Sequence, residues 1–568
     1  MISTRTARHA ILGLALGVSL VFPAGATDGL AGPYLAGRAA ISDNDFRSAS
    51  GYVVRALLRD PMNVSIMESA LLAYLGTGDV KSAVPIARRL VEVEPGNQFA
   101  NMLIIAQLMH DKNYEEVISR LETEEGVGPL VDKLLLAWAQ VGRGRMAAAL
   151  ETLDEISNMR GTQDFGLYHT ALALALVGDL EAADDILAGR NGPTLPASRD
   201  GVIAHAEILS QLERNEDALE LLEAVFSGVS DPFVDFLKQQ LLAGQTLPFA
   251  TVRQANDGAA EVFSAIGAAV IEDENPALTL VYTRIAEYLR PDHVEAILLS
   301  AQTLERLGQY KLATETYDKI PVDSPSYLRA TLGRAKALRM AGDTDQAIEV
   351  LKGLADVAPD QPDVFADLGD ILRRLDRHAE AVEVYDRAIE LYDAAGQDNW
   401  LLYFTRGISL ERSGAWERSE ADLRRALELR PDQPQVLNYL GYSLVELQVK
   451  LDEALDMIER AVAARPNDGY ITDSLGWVLY RLGRYEEAVG HMERATELMP
   501  VDPIVNDHLG DVYWAVGRYR EARFQWERAM SFEPEEKDAT RIRRKLEVGL
   551  DRVLEEEGAE PHKKADEG

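Results

Sequence analysis

Leu475-Gly476-Trp477-Val478-Leu479-Tyr480, followed by Gly483-Arg484-Tyr485-Glu486-Glu487-Ala488 and closed by Ala495 and Pro500, is the stretch whose reading decides the fold. Its parts recur at a fixed step. Pro431, Pro466, Pro500 and Pro534 follow at steps of 35, 34 and 34, and Pro291, Pro325 and Pro359 stand 34 apart. The gap of 72 before Pro431 holds one ordinary unit and one with four extra residues. Proline lacks an amide hydrogen and clashes with the preceding turn, so it stops a helix. A breaker at this interval predicts stacked helix-turn-helix units.

Other positions keep the same beat. A small residue precedes the prolines at Gly267, Ala301, Ala335, Gly369, Gly407, Gly441, Gly476 and Gly510, where two helices must approach closely. Alanines follow at 313, 347, 381, 454, 488 and 522 and at 286, 388, 426, 461, 495 and 529. Between them run turns such as Gly308-Gln-Tyr310, Gly414-Ala-Trp416, Gly483-Arg-Tyr485 and Gly517-Arg-Tyr519. Glycine ends the first helix there, and the aromatic is expected to pack beneath the second. Tyr485, Tyr519 and Trp526 read as core.

These residues resemble the tetratricopeptide repeat (TPR) family. The resemblance implies an all-α, right-handed superhelical solenoid that binds protein or peptide partners on its concave surface. Its organisation reads as a signal peptide over 1–26, degenerate repeats over 27–255 and a regular array of about eight repeats over 256–534. A capping helix at 535–554 and a charged tail at 555–568, expected to be disordered, follow. Five or six degenerate repeats fit between Tyr34 and Pro232, and Gln245 to Ala260 reads as a joint between solenoid segments. In the capping segment Ile542, Leu546, Leu550 and Val553 share a face, suited to covering the open end of the last repeat.

Counting from the small residue of each unit, the resemblance implies which side chains face the groove. One patch holds Arg329, Lys336, Arg339, Arg373 and Arg374, with Asp363 and Asp370 on the same wall. Two readings stay open for it: a clamp for an acidic segment, or a solvated wall with local salt bridges. The other patch holds Asn438 and Tyr442, then Asp473, Trp477 and Tyr480, then Asp507, Asp511 and Trp514. Amide and carboxylate groups beside aromatics suit the backbone and side chains of a partner segment. The alternative is that Trp477, Tyr480 and Trp514 pack between neighbouring helices.

From Pro434 to Pro534 the run also resembles the last repeats of a Gram-negative family of large periplasmic TPR proteins. One member is a lipoprotein adaptor for a carboxyl-terminal processing protease, which implies such a protease as a partner to which substrates are delivered; the alternative is a scaffold of an envelope-biogenesis or polysaccharide-export assembly. This chain has no cysteine to lipidate, so the membrane anchor does not carry over.

Composition sets further bounds. The absence of cysteine excludes disulfides, thiolate metal sites and thiol catalysis. The formal net charge is −35, which opposes binding to nucleic acid or anionic lipid. Arg5 and Arg8, the apolar run from Ala10 to Phe22 and the small residues Ala24-Gly25-Ala26 form a secretory signal. Its apolar run falls short of the ~20 residues that span a bilayer, so cleavage before Thr27 is favoured over an uncleaved anchor. The expected destination is the periplasm. No phosphate loop, zinc-protease or serine-hydrolase motif occurs, so no cofactor, metal or catalytic residue is assigned. His205 and Glu207 lie close together without a third ligand at helical spacing. The stretch from Leu121 to Ala260, where the beat is weakest, is the place for a small-ligand site or an enzyme if the chain has either.

Overall fold

The computed structural model describes residues 29–559 apart from 124–125, 191, 194, 229–230 and 272–274. Residues 1–26, read as a signal peptide, lie outside the described residues, as does the end of the segment read as a charged tail. Among the described residues there are 31 α-helices and no strand. None of these helices is long and apolar enough to cross a membrane. The contacts divide the chain into two compact units, the first ending at Ala347 and the second beginning at Ile348.

In the second unit five antiparallel hairpins follow one another. They are Pro362–Arg374 with His378–Ala394, Trp400–Arg412 with Trp416–Leu429, Pro434–Glu446 with Leu451–Ala464, Gly469–Arg481 with Tyr485–Leu498, and Pro503–Ala515 with Tyr519–Ser531. The small residues do what their spacing predicts. A methyl group added at Gly510 would lie 2.4 Å from Trp526 Nε1, at Gly476 2.7 Å from Met492 Cγ, and at Gly369 2.6 Å from Tyr385 Cε1. In each pair the residue met lies equally far along the chain, on the second helix of the same hairpin. Gly483 closes its turn with φ 77°, a left-handed conformation that side-chain-bearing residues adopt at a cost. Three of the four extra residues lengthen a helix, His378–Ala394 having 17 residues where Trp416–Leu429 has 14, and the fourth falls in the loop after it.

The segment read as one capping helix is two, Glu536–Val548 and Leu550–Glu556. Gly549 separates them with φ 86° and ψ 158°, a backbone region open to glycine alone. The apolar face is continuous in sequence, and this conformation folds it into a corner.

The first unit begins with six hairpins, from Ala31–Ser42 with Phe46–Leu57 to Arg199–Gln211 with Asn215–Phe226. A single helix, Pro232–Leu242, follows, and then a loop. The stretch read as a joint is tied down in this loop. Glu207 Oε2 accepts from the amides of Ala250 and Thr251, each at 3.0 Å, and Gln211 Nε2 donates to the Leu247 carbonyl at 2.5 Å. Beyond it the helices Ala255–Ala269 and Pro276–Leu289 do not simply extend the row. They pack back on Val64–Thr77, Gln98–His110 and Pro129–Gly142.

Three contacts mark this closure. Phe46 is buried with Leu280 and Ile297. Tyr114 Oη donates to Asn256 Oδ1 at 2.9 Å, and Arg47 pairs with Glu315 at 2.7 Å. Covering on both sides explains Met102-Leu103-Ile104-Ile105-Ala106, which is apolar all round and wholly buried.

Candidate functional site

The polar row predicted from the repeat lies on three successive first helices of the second unit. Helical spacing puts Asn438 and Tyr442, then Asp473, Trp477 and Tyr480, then Asp507, Asp511 and Trp514 on one face of each. The structure fills most of this face with the chain itself. Lys545, on the helix Glu536–Val548, has no exposed side-chain surface. Its ammonium donates to both oxygens of Asp507 at 2.8 Å and to Asp511 Oδ1 at 2.6 Å. Arg541, one turn earlier, reaches Asp511 Oδ2 at 3.3 Å, and Trp526 Nε1 donates to Asp511 Oδ1 at 2.9 Å. Burial works against the Asp511 charge, but Lys545 and Arg541 hold its carboxyl below the usual range. In Asp507 burial prevails over Lys545 and the pKa is raised.

The aromatics stack within the same layer. Trp477 is 8 % exposed. Its ring lies 4.0 Å from that of His508 and 4.8 Å from that of Tyr480, both near parallel, and its Nε1 donates to Glu446 at 2.7 Å. His508 Nδ1 lies 3.0 Å from Asp473 Oδ2. Burial would depress this imidazole, and the Asp473 carboxylate outweighs that and raises it. Trp514 Nε1 donates to Asp551 at 3.1 Å, just past the corner at Gly549. Tyr519, expected in the core, is 46 % exposed and meets Trp514 edge to face. Trp526 is fully buried, and Tyr485 is partly so.

At the other end the row is less occupied. Asn438 Oδ1 is buried without a hydrogen-bond partner, and Tyr442 is half-buried. Burial, followed by Glu446 and Asp473, raises the Tyr442 hydroxyl pKa.

The five basic residues predicted as a patch divide between the units. In the first, Arg329 pairs with Glu295 at 3.1 Å and Lys336 with Glu305 at 2.7 Å, both carboxylates coming from the helix Val294–Arg306, while Arg339 is half-buried. In the second, Arg373 approaches Asp370 at 3.7 Å and Arg374 is exposed.

A polar cluster in the first unit escaped the sequence reading. Asp200 and Glu261 form a wall common to two cavities, of about 600 Å³ and about 210 Å³. The smaller is lined by Arg199, Arg290 and His293. Glu261 lies 3.1 Å from His293 Nε2 and 3.8 Å from Arg290 Nη1. Tyr168 lines the larger cavity, and its Oη is buried without a partner. One signal was present: Glu261 is the lone acid in Gly258-Ala259-Ala260-Glu261-Val262-Phe263. Asp200, just after the cap Ser198, resembles an ordinary first-turn helix acid. Glu207 holds the loop, and His205 Nε2 meets Asp184 at 2.8 Å. No group of three or more His, Asp or Glu side chains able to hold a metal ion occurs among the described residues.

Comparison with known proteins agrees with the repeat geometry. A tetratricopeptide repeat model matches residues 34–102, 332–398, 404–469 and 474–534, and a second matches 133–155. Together they cover just over half of the chain. The chain is 30 % identical over 159 residues to the TPR repeat-containing protein PA4667 of Pseudomonas aeruginosa, a match that takes in 28 % of this chain and 26 % of that protein. Among solved structures, the APC/C hetero-tetramer Cut9-Hcn1 aligns over 91 % of this chain and 96 % of its own, at 14 % identity and a TM-score of 0.37. MamA AMB-1 aligns over 30 % and 96 %, at 28 % identity and a TM-score of 0.25. By its repeats, the chain belongs to the tetratricopeptide repeat family.

Proposed function

We propose that this protein is a scaffold that works by holding protein partners rather than by catalysis. The observation that carries the reading is the series of tetratricopeptide hairpins in the second unit, a fold whose faces are repeated, rigid and suited to extended partners. On the second unit the partner's place is the end of the polar row at Asn438 and Tyr442. An unpartnered buried amide oxygen there is ready for a backbone or side-chain donor. The signal segment supports action in the periplasm, and the likeness of residues 434–534 to the protease adaptor makes a carboxyl-terminal processing protease the first partner to try.

Crosslinking of the full chain in envelope extracts, read by mass spectrometry, tests the scaffold. Crosslinks from the second unit should centre on the helix Pro434–Glu446 and weaken in Asn438→Ala/Tyr442→Ala without loss of helicity. Recovery of partners without any protease would remove the adaptor reading and leave the scaffold. Failure to recover any protein would remove both.

A further inference from the structure

We propose that the first unit also binds a small cationic amphiphile, an alkylammonium group on an apolar body, in the larger cavity, with the ammonium at Asp200 and Glu261. The inference is independent of the groove on the second unit.

The cavity lies among the helices Gln163–Leu176, Arg199–Gln211, Asn215–Phe226 and Ala255–Ala269. At about 600 Å³ it has the size of sites that enclose a small organic molecule. Its charged lining is one-sided. Among the described residues, Asp164, Asp200 and Glu261 contribute carboxylates to the lining, and no lysine or arginine contributes. His205 is the one lining imidazole, and Asp184 already holds it. The compensating cations lie in the smaller cavity, so the common wall is basic on one side and acidic on the other.

Asp200 has the most unused capacity. Among the described residues its carboxylate meets Arg199 Nη1 at 3.4 Å, a long contact, and its side chain remains 38 % open. Asp200 lines both cavities, so a group entering either one can reach its carboxylate. Burial, reinforced by Glu261 and Glu295, pushes its pKa up to about 6. A carboxyl in that condition gains from a cation brought to it. The Tyr168 hydroxyl adds a partnerless polar group. Phe165, Leu221, Val225 and Ala265 supply the apolar walls. An anion would meet three carboxylates, and a neutral alcohol would bring no positive charge to Asp200.

Calorimetric titration of the full chain with n-octylammonium, 1-octanol, octanoate and N-acetyl-lysine amide tests the proposal. Octylammonium is expected to bind at least about tenfold more tightly than the alcohol, and octanoate not at all. Asp200→Asn should weaken octylammonium about tenfold and leave the alcohol unchanged. Should Asp200→Asn fail to fold, Glu261→Gln and the cavity-filling Ala265→Leu take its place, each expected to weaken the amine. Absence of binding at millimolar octylammonium, equal affinity for the alcohol, or an amine affinity untouched in folded variants would overturn it. Tighter binding of the lysine derivative would also overturn it, by assigning these carboxylates to a partner's side chain.

Discussion

Lys545 meets two carboxylates in a place with no exposed surface, so its removal strands Asp507 and Asp511 without their shared cation. Breaking such a group from one side costs about 3–5 kcal/mol, whereas replacing all its members by neutral groups is often close to neutral. Lys545→Ala should therefore lower stability by about that amount in urea unfolding, and Lys545→Met with Asp507→Asn and Asp511→Asn should recover most of it. A loss under about 1 kcal/mol would show that the carboxylates find water instead. His508 provides a pH dependence of defined sign. Its folded pKa is raised, because Asp473 outweighs burial. The stability it contributes is complete below its unfolded pKa of about 6.5 and is lost as pH rises through the raised value. Asp473→Asn should accordingly lower the melting temperature more at pH 6 than at pH 8.5, and an equal loss at both would contradict the assignment.

At the scale of the element, Gly549 turns the last two helices against each other. An added methyl group there would meet Trp514 at 2.6 Å, and the backbone lies in a region closed to other residues. Gly549→Ala is expected to cost about 1–3 kcal/mol. Hydrogen exchange should rise over 536–556 while the hairpins before Pro503 keep their protection. The hairpins themselves were legible in the sequence because their determinants are local. Pro500 stops a helix, Gly483 turns one, and Gly476 admits Met492 wherever the hairpin stands. Lys545 and Arg541 were not legible in the same way. Periodicity identifies the apolar face made by Ile542 and Leu546, but a cation at the edge of that face reads as reaching to solvent until something shows the carboxylates it meets. The row from Asn438 to Trp514 was found as a shared face. Its internal pairing depends on that same missing information, and Asp200 and Glu261 escaped for the same reason.

The first unit departs most from a simple row, since its later helices cover its earlier ones. Phe46 is fully buried against residues from the far end of the unit. Phe46→Ala should cost about 3–5 kcal/mol. It should also raise hydrogen exchange around both Phe46 and Leu280, and a change confined to the first hairpin would argue against the closure. The weak beat before Pro232 fits this arrangement, because helices covered on two sides need apolar surface where an open solenoid would keep polar surface. Gln98–His110 carries that composition, yet nothing local in it specifies Pro276–Leu289 as the cover.

The closure also sets an order of events in synthesis. Arg47 and its partner Glu315 are 268 residues apart. At ribosomal speeds of roughly 5–20 residues per second, the first hairpins wait on the order of tens of seconds for the helices that cover them. Most repeat arrays satisfy each unit with its immediate neighbour as the chain emerges. Here an apolar surface stays uncovered through much of translation, so nascent-chain chaperones have a longer claim on this protein than its regular repeats suggest.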